Sequence, residues 1–379
     1  MMHIKRDITI PETSFFLFGP RGTGKSTYVK ELIDNNTLYI DFLDPDLFRA
    51  YSAFPETLIK AVNAALPQKV IIDEVQKIPQ ILDVVHKIME EKRIKFILTG
   101  SNARKLKKSG ADLLGGRACY CKMHPFTARE LGSSFSISRA LQTGLIPVIE
   151  SSPDASKSLS AYVDIYLREE VMAEGLVRNL GSFSRFLEII SFSHGSVMNV
   201  SNIARECQTG RGIVTGYIEI LEDLLLSYRL PVFSKRAKRK TAIHPKFYFF
   251  DNGLYRRLRQ RGSLDIESEI TGPALEGLVG QHLRAWIDQA LTDSGLWYWR
   301  SLAGNEVDFV IYGRNTFVAV EVKNAKVLNP ADYNGLYSFG DDYPEAKLIL
   351  LYMGNIAMKH RNIVVLPVDT FLPDPGKYL

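Results

Sequence analysis

The chain has 379 residues, of which 46% are hydrophobic and 23% are charged, and its formal net charge at pH 7 is +5. This composition is typical of a globular protein, and the length predicts two or three domains. Three cysteines are too few for a disulfide framework. No apolar run approaches the ~18 residues of a membrane-spanning helix, and the first residues carry no signal-peptide pattern. We therefore expect a cytoplasmic protein with no membrane contact.

Residues 1–132 alternate predicted strands and helices, which indicates a parallel sheet with helices on both faces. A glycine-rich loop follows the first apolar strand and opens a helical stretch. Its residues are Gly19, Pro20, Arg21, Gly22, Thr23, Gly24, Lys25, Ser26 and Thr27. The glycines let the backbone point its N–H groups at phosphate oxygens, and the helix start adds its positive dipole end. The segment predicts the phosphate-binding loop of a P-loop NTPase, with Lys25 on the outer phosphates of ATP and Ser26 on Mg²⁺.

Two acids, Asp73 and Glu74, follow a buried-type strand at Val70–Ile72. Ligands bind at the carboxyl ends of strands in open α/β sheets, so these side chains belong near the phosphate-binding loop. We expect Asp73 to hold Mg²⁺ and Glu74 to activate the attacking water. The loop and the acids together predict ATP hydrolysis, which neither motif predicts alone.

Further polar residues follow the neighbouring strands. Ser101 and Asn102 follow Gly100 at the end of the predicted strand Ile94–Thr99, and they are candidates for contact with the γ-phosphate or the attacking water; a simple turn is the alternative. Arg117 follows a glycine pair and is a candidate for stabilising charge on the transferring phosphoryl group. Its alternative is a surface salt bridge. If Arg117 acts in a neighbouring subunit's site, the active form is a homo-oligomer.

Serines and prolines cluster in residues 133–160, which predicts an exposed linker, with 138–142 as its one helical part. Residues 161–260 follow with helix, turn, helix and a strand pair, the outline of a winged helix-turn-helix. Ser201 is expected to cap the first of these two helices. The residues expected to contact DNA are Arg211, at the start of the second helix, and the basic tip Lys235, Arg236, Lys238, Arg239 and Lys240. The alternative interpretation of the tip is a solvated run of charge.

Residues 261–379 return to mixed α/β character. A hairpin centred between Arg314 and Asn315 places Asp308 opposite Glu321, and Glu306 opposite Lys323. Facing side chains come within about 4.5–5.5 Å, so two carboxylates there repel each other unless a cation lies between them. We therefore expect Mg²⁺ or Mn²⁺ on Asp308 and Glu321, with Lys323 activating water or stabilising the transition-state charge and Glu276 as a further ligand or an orienting carboxylate. The alternative is a charged, solvated hairpin.

Motifs along most of the chain resemble those of prokaryotic AAA-type ATPases that carry a restriction-endonuclease-like C-terminal domain. The residues that carry the resemblance are Gly19–Thr27, Asp73–Gln76, Thr99–Ser101, Gly115–Arg117, Pro125–Phe126, Pro245–Tyr248, Asp251–Leu254, Glu276, Trp299–Arg300, Glu306–Phe309 and Glu321–Lys323. The resemblance implies ATP binding and hydrolysis, a middle winged helix and a nuclease-like end. Asp308, Glu321 and Lys323 match the core of the PD-(D/E)xK nuclease fold, and Glu276 matches its helical acid. Val307 stands where the proline of that motif usually lies.

The leading hypothesis is a Mg²⁺-dependent ATPase with three domains, at 1–132, 161–260 and 261–379. The middle domain is expected to dock on DNA and the last to bind Mg²⁺, while DNA cleavage by the last domain is left open. One alternative keeps the nuclease-like fold without cleavage. The alternative from another class is a nucleotide-gated scaffold or regulator that binds protein partners and has a silent C-terminal domain.

Overall fold

The computed structural model describes residues 4–101, 114–167, 171–172, 177, 179–235, 244–263, 265–290 and 293–379. The described residues form two compact units. The N-terminal unit comprises Arg6–His124 with Asp223–Leu225. The C-terminal unit comprises Pro125–Glu222 and Leu226–Leu379, with the described residues before Arg6. No helix in these ranges is long and apolar enough to cross a membrane.

The N-terminal unit is built on a parallel five-stranded sheet, as predicted. Its strands are β1 (Ser14–Phe18), β2 (Thr37–Asp41), β3 (Lys69–Asp73), β4 (Lys95–Gly100) and β5 (Ala118–Lys122). They lie in the order β2-β3-β4-β1-β5, and every pairing is parallel. The strand β1 is buried along its whole length, which explains its unbroken apolar sequence.

Helices flank this sheet and alternate with its strands. They are α1 (Lys25–Glu31), α2 (Pro45–Ala53), α3 (Thr57–Ala65) and α4 (Ile81–Glu91). Two apolar clusters lie in the unit and draw on opposite faces of β1, one containing Phe16 and Phe18 and the other containing Phe15 and Leu17. The sheet is therefore covered on both faces, and the carboxyl ends of its central strands point to one edge of the unit.

The first part of the C-terminal unit is helical. Its helices are α5 (Ala128–Leu131), α6 (Ile137–Thr143), α7 (Pro147–Glu150), α8 (Ala155–Ala161), α9 (Leu180–Ser191), α10 (Val200–Glu206), α11 (Arg211–Asp223) and α12 (Asn252–Leu258), with a π-helical turn at Tyr162–Leu167. A three-stranded antiparallel sheet joins them, formed by β6 (Ser196–Val197), β7 (Ser227–Leu230) and β8 (Lys246–Phe249) in the order β6-β8-β7. The cap of α10 is Asn199 and not Ser201, because the Asn199 side chain accepts a hydrogen bond from the backbone N–H of Asn202 at 3.1 Å.

The rest of the C-terminal unit is a long helix, α13 (Glu267–Gln289), and a mixed six-stranded sheet. Its strands are β9 (Gly295–Arg300), β10 (Glu306–Tyr312), β11 (Phe317–Lys323), β12 (Lys347–Tyr352), β13 (Met358–His360) and β14 (Ile363–Pro367), in the order β13-β14-β12-β11-β10-β9, with short helices α14 (Asn334–Asp342) and α15 (Val368–Phe371). The hairpin β10–β11 pairs Phe309 with Val320 and Tyr312 with Phe317. This is the register expected for a turn centred between residues 314 and 315.

Residues 133–160 differ from the exposed linker that their composition suggests. They contain α6, α7 and most of α8, and they bury Ile137, Ala140 and Leu145. These side chains share one apolar cluster with Leu230 of β7, and with residues of α13 and the six-stranded sheet. The serines and prolines lie among helices that pack on a common core. The described residues on both sides of the domain boundary expected at residue 260 therefore belong to one compact unit.

Candidate nucleotide site and acidic cluster

The phosphate-binding loop runs from the end of β1 to the start of α1. Gly22 and Gly24 have positive φ angles of 81° and 89°, a region that favours glycine. A side chain at Gly19 is also excluded, because its Cβ would lie 2.5 Å from the carbonyl oxygen of Met123. Lys25 is 5% exposed, and its ammonium donates to the carbonyl oxygens of Gly19 at 2.7 Å and Pro20 at 3.0 Å. The loop therefore curls around its own lysine.

A second cation, Arg6, supports the loop from the N-terminal segment. Its guanidinium donates to the carbonyl oxygens of Thr23 at 2.7 Å and His124 at 2.7 Å. These bonds tie the loop to the chain just after β5. Sequence reasoning missed Arg6, because a lone arginine seventeen residues before Thr23 carries no pattern.

The predicted acids Asp73 and Glu74 lie at the carboxyl end of β3, where a network of polar side chains surrounds them. Asp73 is fully buried and accepts hydrogen bonds from the hydroxyls of Thr99 and, at 3.2 Å, Tyr39. The Thr99 hydroxyl also accepts from the backbone N–H of Glu74 at 3.1 Å. Burial, together with the charge of Asp73, raises the pKa of Tyr39, so this phenol remains a donor. Asp73 is thus held in place from both neighbouring strands.

Gln76 connects Glu74 with the end of β4. Its amide donates to the Glu74 carboxylate and, at 3.1 Å, to the Ser101 hydroxyl. Glu74 has a positive φ of 60°, which is uncommon for a residue with a side chain and is found at functional sites. Ser101 therefore lies in the same network as Glu74, while Asn102 is outside the described residues. Thr99 and Gln76 belong to motifs that carry the family resemblance, but sequence reasoning missed their role in holding the two acids.

Arg117 lies on the surface of the N-terminal unit, directly before β5. Its guanidinium forms an ion pair with Glu90 at 3.0 Å, and its side chain is 44% exposed. This is the salt-bridge arrangement named as the alternative. A role in phosphoryl transfer remains a prediction.

The residues expected to contact DNA are only partly described. Arg211 is exposed at the first position of α11, as expected. Lys235 is exposed, but its ammonium lies over the ring of Tyr312, 4.5 Å from the centroid, and 5.7 Å from that of Trp297. The remaining tip residues, Arg236, Lys238, Arg239 and Lys240, lie outside the described residues. Lys235 is thus seated on aromatic rings at the root of the tip.

A cluster of carboxylates lies in the C-terminal unit, and a buried lysine stands at its centre. The Lys246 ammonium is 2.8 Å from Glu276, 2.6 Å from Glu306 and 3.2 Å from Asp308. Lys246 is 1% exposed. We refer to Lys246, Glu276, Glu306 and Asp308 as the acidic cluster. Sequence reasoning assigned no role to Lys246, and the structure turns it inward among acids.

The other carboxylate expected to hold metal, Glu321, lies beside this cluster and pairs with Lys323 at 2.6 Å. Asp308 uses its second oxygen to accept from the backbone N–H of Val322 at 2.9 Å. Glu306, expected opposite Lys323, forms ion pairs with Lys246 and with Arg300 at 3.5 Å. The structure therefore brings the predicted nuclease-like residues together, but each carboxylate already has a cation of the protein.

The pKa values reflect how closely these groups are packed. Burial raises the pKa of Glu276 to about 7, the charge of Asp308 acts in the same direction, and Lys246 lowers it. Burial and the charge of Asp308 raise the pKa of Glu321 well above its usual value. Burial disfavours the charge on Lys246, but the charges of the surrounding acids outweigh the effect of burial and raise the pKa of Lys246. Lys246 therefore remains an ammonium in this environment.

The residues present do not fit the metal centre expected on Glu276, Asp308 and Glu321. Within the described ranges no three His, Cys, Asp or Glu side chains are grouped to hold a metal ion. Lys246 stands where a cation shared by Glu276 and Asp308 would lie. One atom favours the metal interpretation, since Oε2 of Glu321 is buried without a hydrogen-bond partner among the described residues. At the N-terminal site the donors do fit Mg²⁺-ATP, since a hydroxyl follows the loop lysine and a buried carboxylate ends the strand β3.

Family models match three successive parts of the chain. Residues 12–132 match the AAA domain, residues 136–265 match a domain of unknown function (DUF8612), and residues 271–371 match another (DUF4143). An uncharacterized protein of Haemophilus influenzae is 22% identical over 286 residues, which are 67% of this chain and 72% of that protein.

Solved structures give weaker likenesses. The Aeropyrum pernix ORC1 protein in complex with DNA is 13% identical with a TM-score of 0.27, over 66% of this chain and 87% of that one. Protein VC1899 from Vibrio cholerae is 12% identical with a TM-score of 0.24, over 96% of both chains. The AAA match covers the loop and the acids described above, and residues 12–132 therefore form an AAA-type nucleotide-binding domain.

Proposed function

We propose that the protein is an ATPase that binds Mg²⁺-ATP in its N-terminal unit and hydrolyses it. The observation that carries this proposal is that one unit contains both a phosphate-binding loop with a buried lysine, Lys25, and a hydrogen-bonded network around Asp73 and Glu74 at the end of β3. The loop backbone from Gly19 to Thr27, with Lys25, would hold the phosphates, and Ser26 and Asp73 would hold the magnesium ion. That ion supplies positive charge that neutralises the phosphates.

Each residue of the network has a role in this proposal. Glu74 orients and activates the attacking water, and Gln76 holds the Glu74 carboxylate toward Ser101. Thr99 fixes Asp73 and the backbone of Glu74 at once. Ser101 is the candidate for contact with the γ-phosphate. Arg117 would stabilise developing charge after leaving Glu90, in its own or a neighbouring subunit.

Substitution of Glu74 tests the hydrolysis proposal. Glu74→Gln should bind ATP with an affinity close to wild type, because the loop is unchanged, and should lose turnover by about 100-fold or more. Glu91→Gln is the matched control, since Glu91 is exposed at the end of α4 and should turn over normally. Nucleotide affinity and phosphate release measured on the same preparations check both. Normal turnover by Glu74→Gln would remove Glu74 from the mechanism.

We propose further that residues 180–249 form a winged helix-turn-helix that docks on duplex DNA. The order of α9, β6, α10, α11, β7 and β8 supports this, because the paired strands follow the second helix of the helix-turn-helix. Arg211 is exposed at the start of α11, and the basic residues 235–240 join β7 to β8. These cations would contact phosphates and make binding weaken with salt.

A DNA titration at two salt concentrations tests the docking. Neutralising Lys235–Lys240, or Arg211→Gln, should weaken binding and flatten its salt dependence, and Lys359→Gln on β13 is an exposed control. DNA binding that is unchanged by these variants would favour the scaffold alternative, in which the basic tip binds an acidic protein partner. The mass of the protein with a non-hydrolysable ATP analogue tests the homo-oligomer.

The nuclease-like fold of residues 261–379 is also a proposal. The succession of α13, β9, β10, β11, α14 and β12 supports it, as does the placement of Asp308, Glu321 and Lys323 on neighbouring strands. Metal-dependent cleavage has less support, because each of the acids already has a cation of the protein.

A further inference from the structure

The buried lysine of the acidic cluster is the feature that the ATPase and DNA proposals leave unexplained. A lysine is almost never fully buried unless it is paired, and Lys246 has three carboxylates within 3.2 Å. The Tyr298 ring also lies under the ammonium, 5.6 Å from it at the centroid. The Tyr248 hydroxyl donates to Glu276, so one oxygen of Glu276 receives both groups. Such a site is built around a positive charge.

The backbone of Lys246 is fixed by the sheet that carries it. Lys246 begins β8, the central strand of the three-stranded sheet, and pairs with Leu230 on one side and Val197 on the other. The ammonium therefore enters the acidic cluster from a strand that is held on both edges. Glu276 comes from α13, and Glu306 and Asp308 come from β10. Three separate elements thus meet at this one ammonium.

We propose that the Lys246 ammonium takes the place of a divalent cation among Glu276, Glu306 and Asp308. The acidic cluster therefore binds no metal ion, and the C-terminal unit does not cleave DNA. A metal ion shared by these acids would have to occupy the position of the Lys246 ammonium. Two cations that close repel each other strongly in a buried site. A metal ion therefore enters only where Lys246 leaves, and Lys246 is held by its sheet.

The neighbouring carboxylate, Glu321, is the feature of this site that most favours a metal ion. Glu321 gives one oxygen to Lys323, and its other oxygen, Oε2, has no hydrogen-bond partner among the residues that the structure describes. Asp308 has both oxygens engaged, one by Lys246 and one by the backbone N–H of Val322. Of these acids, Glu321 is thus the one with a buried carboxylate oxygen that has no partner among the described residues, and a Mg²⁺ ion there would depend on water for most of its six ligands.

Binding of Mn²⁺ to the nucleotide-free full-length protein, followed by electron paramagnetic resonance, tests the inference. Wild type and Asp308→Asn should bind Mn²⁺ equally, because any Mn²⁺ that both proteins bind lies outside the acidic cluster. Lys246→Met should acquire at least one additional Mn²⁺ with an affinity about 10-fold or more above wild type, or should need Mn²⁺ to fold. The emission of Trp286, Trp297 and Trp299, all in the C-terminal unit, reports that folding.

Plasmid cleavage with Mg²⁺ or Mn²⁺ completes the test, and none is expected. Mn²⁺ binding by wild type that is lost in Asp308→Asn or Glu321→Gln would overturn the inference, as would cleavage that depends on Asp308. A folded Lys246→Met protein without additional Mn²⁺ binding would also overturn it, because the ammonium would then not replace a metal. ATP turnover measured in parallel tests the N-terminal unit separately, so its failure leaves this result readable.

Discussion

Thr99 joins the two acids of the candidate ATPase site, and its hydroxyl offers a perturbation whose size follows from the structure. The side chain is fully buried at the end of β4, donates to Asp73 and accepts from the backbone N–H of Glu74. Thr99→Val keeps the shape of the side chain and removes both hydrogen bonds. The Glu74 N–H and one oxygen of Asp73 then lose a partner in a buried place.

Each buried group left without a partner costs about 1–3 kcal/mol, and the cost is larger for a charged group. Tyr39 retains its bond to Asp73, which limits the loss. We therefore expect Thr99→Val to lower the free energy of unfolding of the N-terminal unit by about 3 kcal/mol. The acids also lose their common restraint, so turnover of ATP should fall by about 10-fold or more while ATP affinity changes little.

Hydrogen exchange of peptides that cover β3 and β4 measures this stability loss. A change of about 3 kcal/mol raises the exchange rate of their slowest amides by about 100-fold, if these amides exchange through unfolding of the unit. Tryptophan emission is the internal control, because the three tryptophans, 286, 297 and 299, lie in the C-terminal unit and should not respond. Thr9→Val makes the same change at an exposed threonine and should have little effect. Unchanged exchange with unchanged turnover would refute the reasoning.

Three further predictions concern other contacts. Arg6→Met removes the guanidinium bonds to the carbonyl oxygens of Thr23 and His124 and should weaken ATP affinity about 10-fold by calorimetry, whereas Lys5→Met should not. Gly100→Ala places a Cβ 2.8 Å from the Gln76 amide oxygen and should lower turnover in a phosphate-release assay; wild-type turnover would contradict the network. Burial raises the pKa of Asp251 from 3.8 to about 7, so the folded protein retains a proton that the unfolded chain loses, and stability should fall as the pH rises from about 4 to about 7. Asp251→Asn should flatten that part of the profile in thermal unfolding, and an unchanged slope would exclude Asp251 as its source.

The parts of the fold that could be predicted from sequence are those set by local patterns. Short apolar runs at Phe15–Phe18 and Val70–Ile72 predicted strands, and β1 and β3 contain them. The turn composition at 313–316 predicted a hairpin centred between residues 314 and 315, and the pairs from Phe309–Val320 to Tyr312–Phe317 have that register.

The parts that escaped prediction depend on packing between distant segments. Lys246 contacts Asp308, which lies 62 residues further along the chain, and no local pattern predicts that this lysine faces acids on another sheet. The polar composition of 133–160 likewise concealed Ile137, which lies between two serines in sequence and in the core of the fold. Arg6 contacts the phosphate-binding loop because the folded chain brings the N-terminal segment beside it, and no sequence motif predicts that contact.

Phosphate release from ATP in the presence of Mg²⁺, by wild type and by Lys25→Ala, tests the central claim most directly. Lys25 is buried within the loop that would hold the phosphates, so its loss should remove ATP binding and turnover together. We expect Mg²⁺-dependent phosphate release by wild type and none above background by Lys25→Ala. Both proteins are assayed in the presence and in the absence of duplex DNA. Equal release by the two proteins, or no ATP binding by wild type, would contradict the central claim.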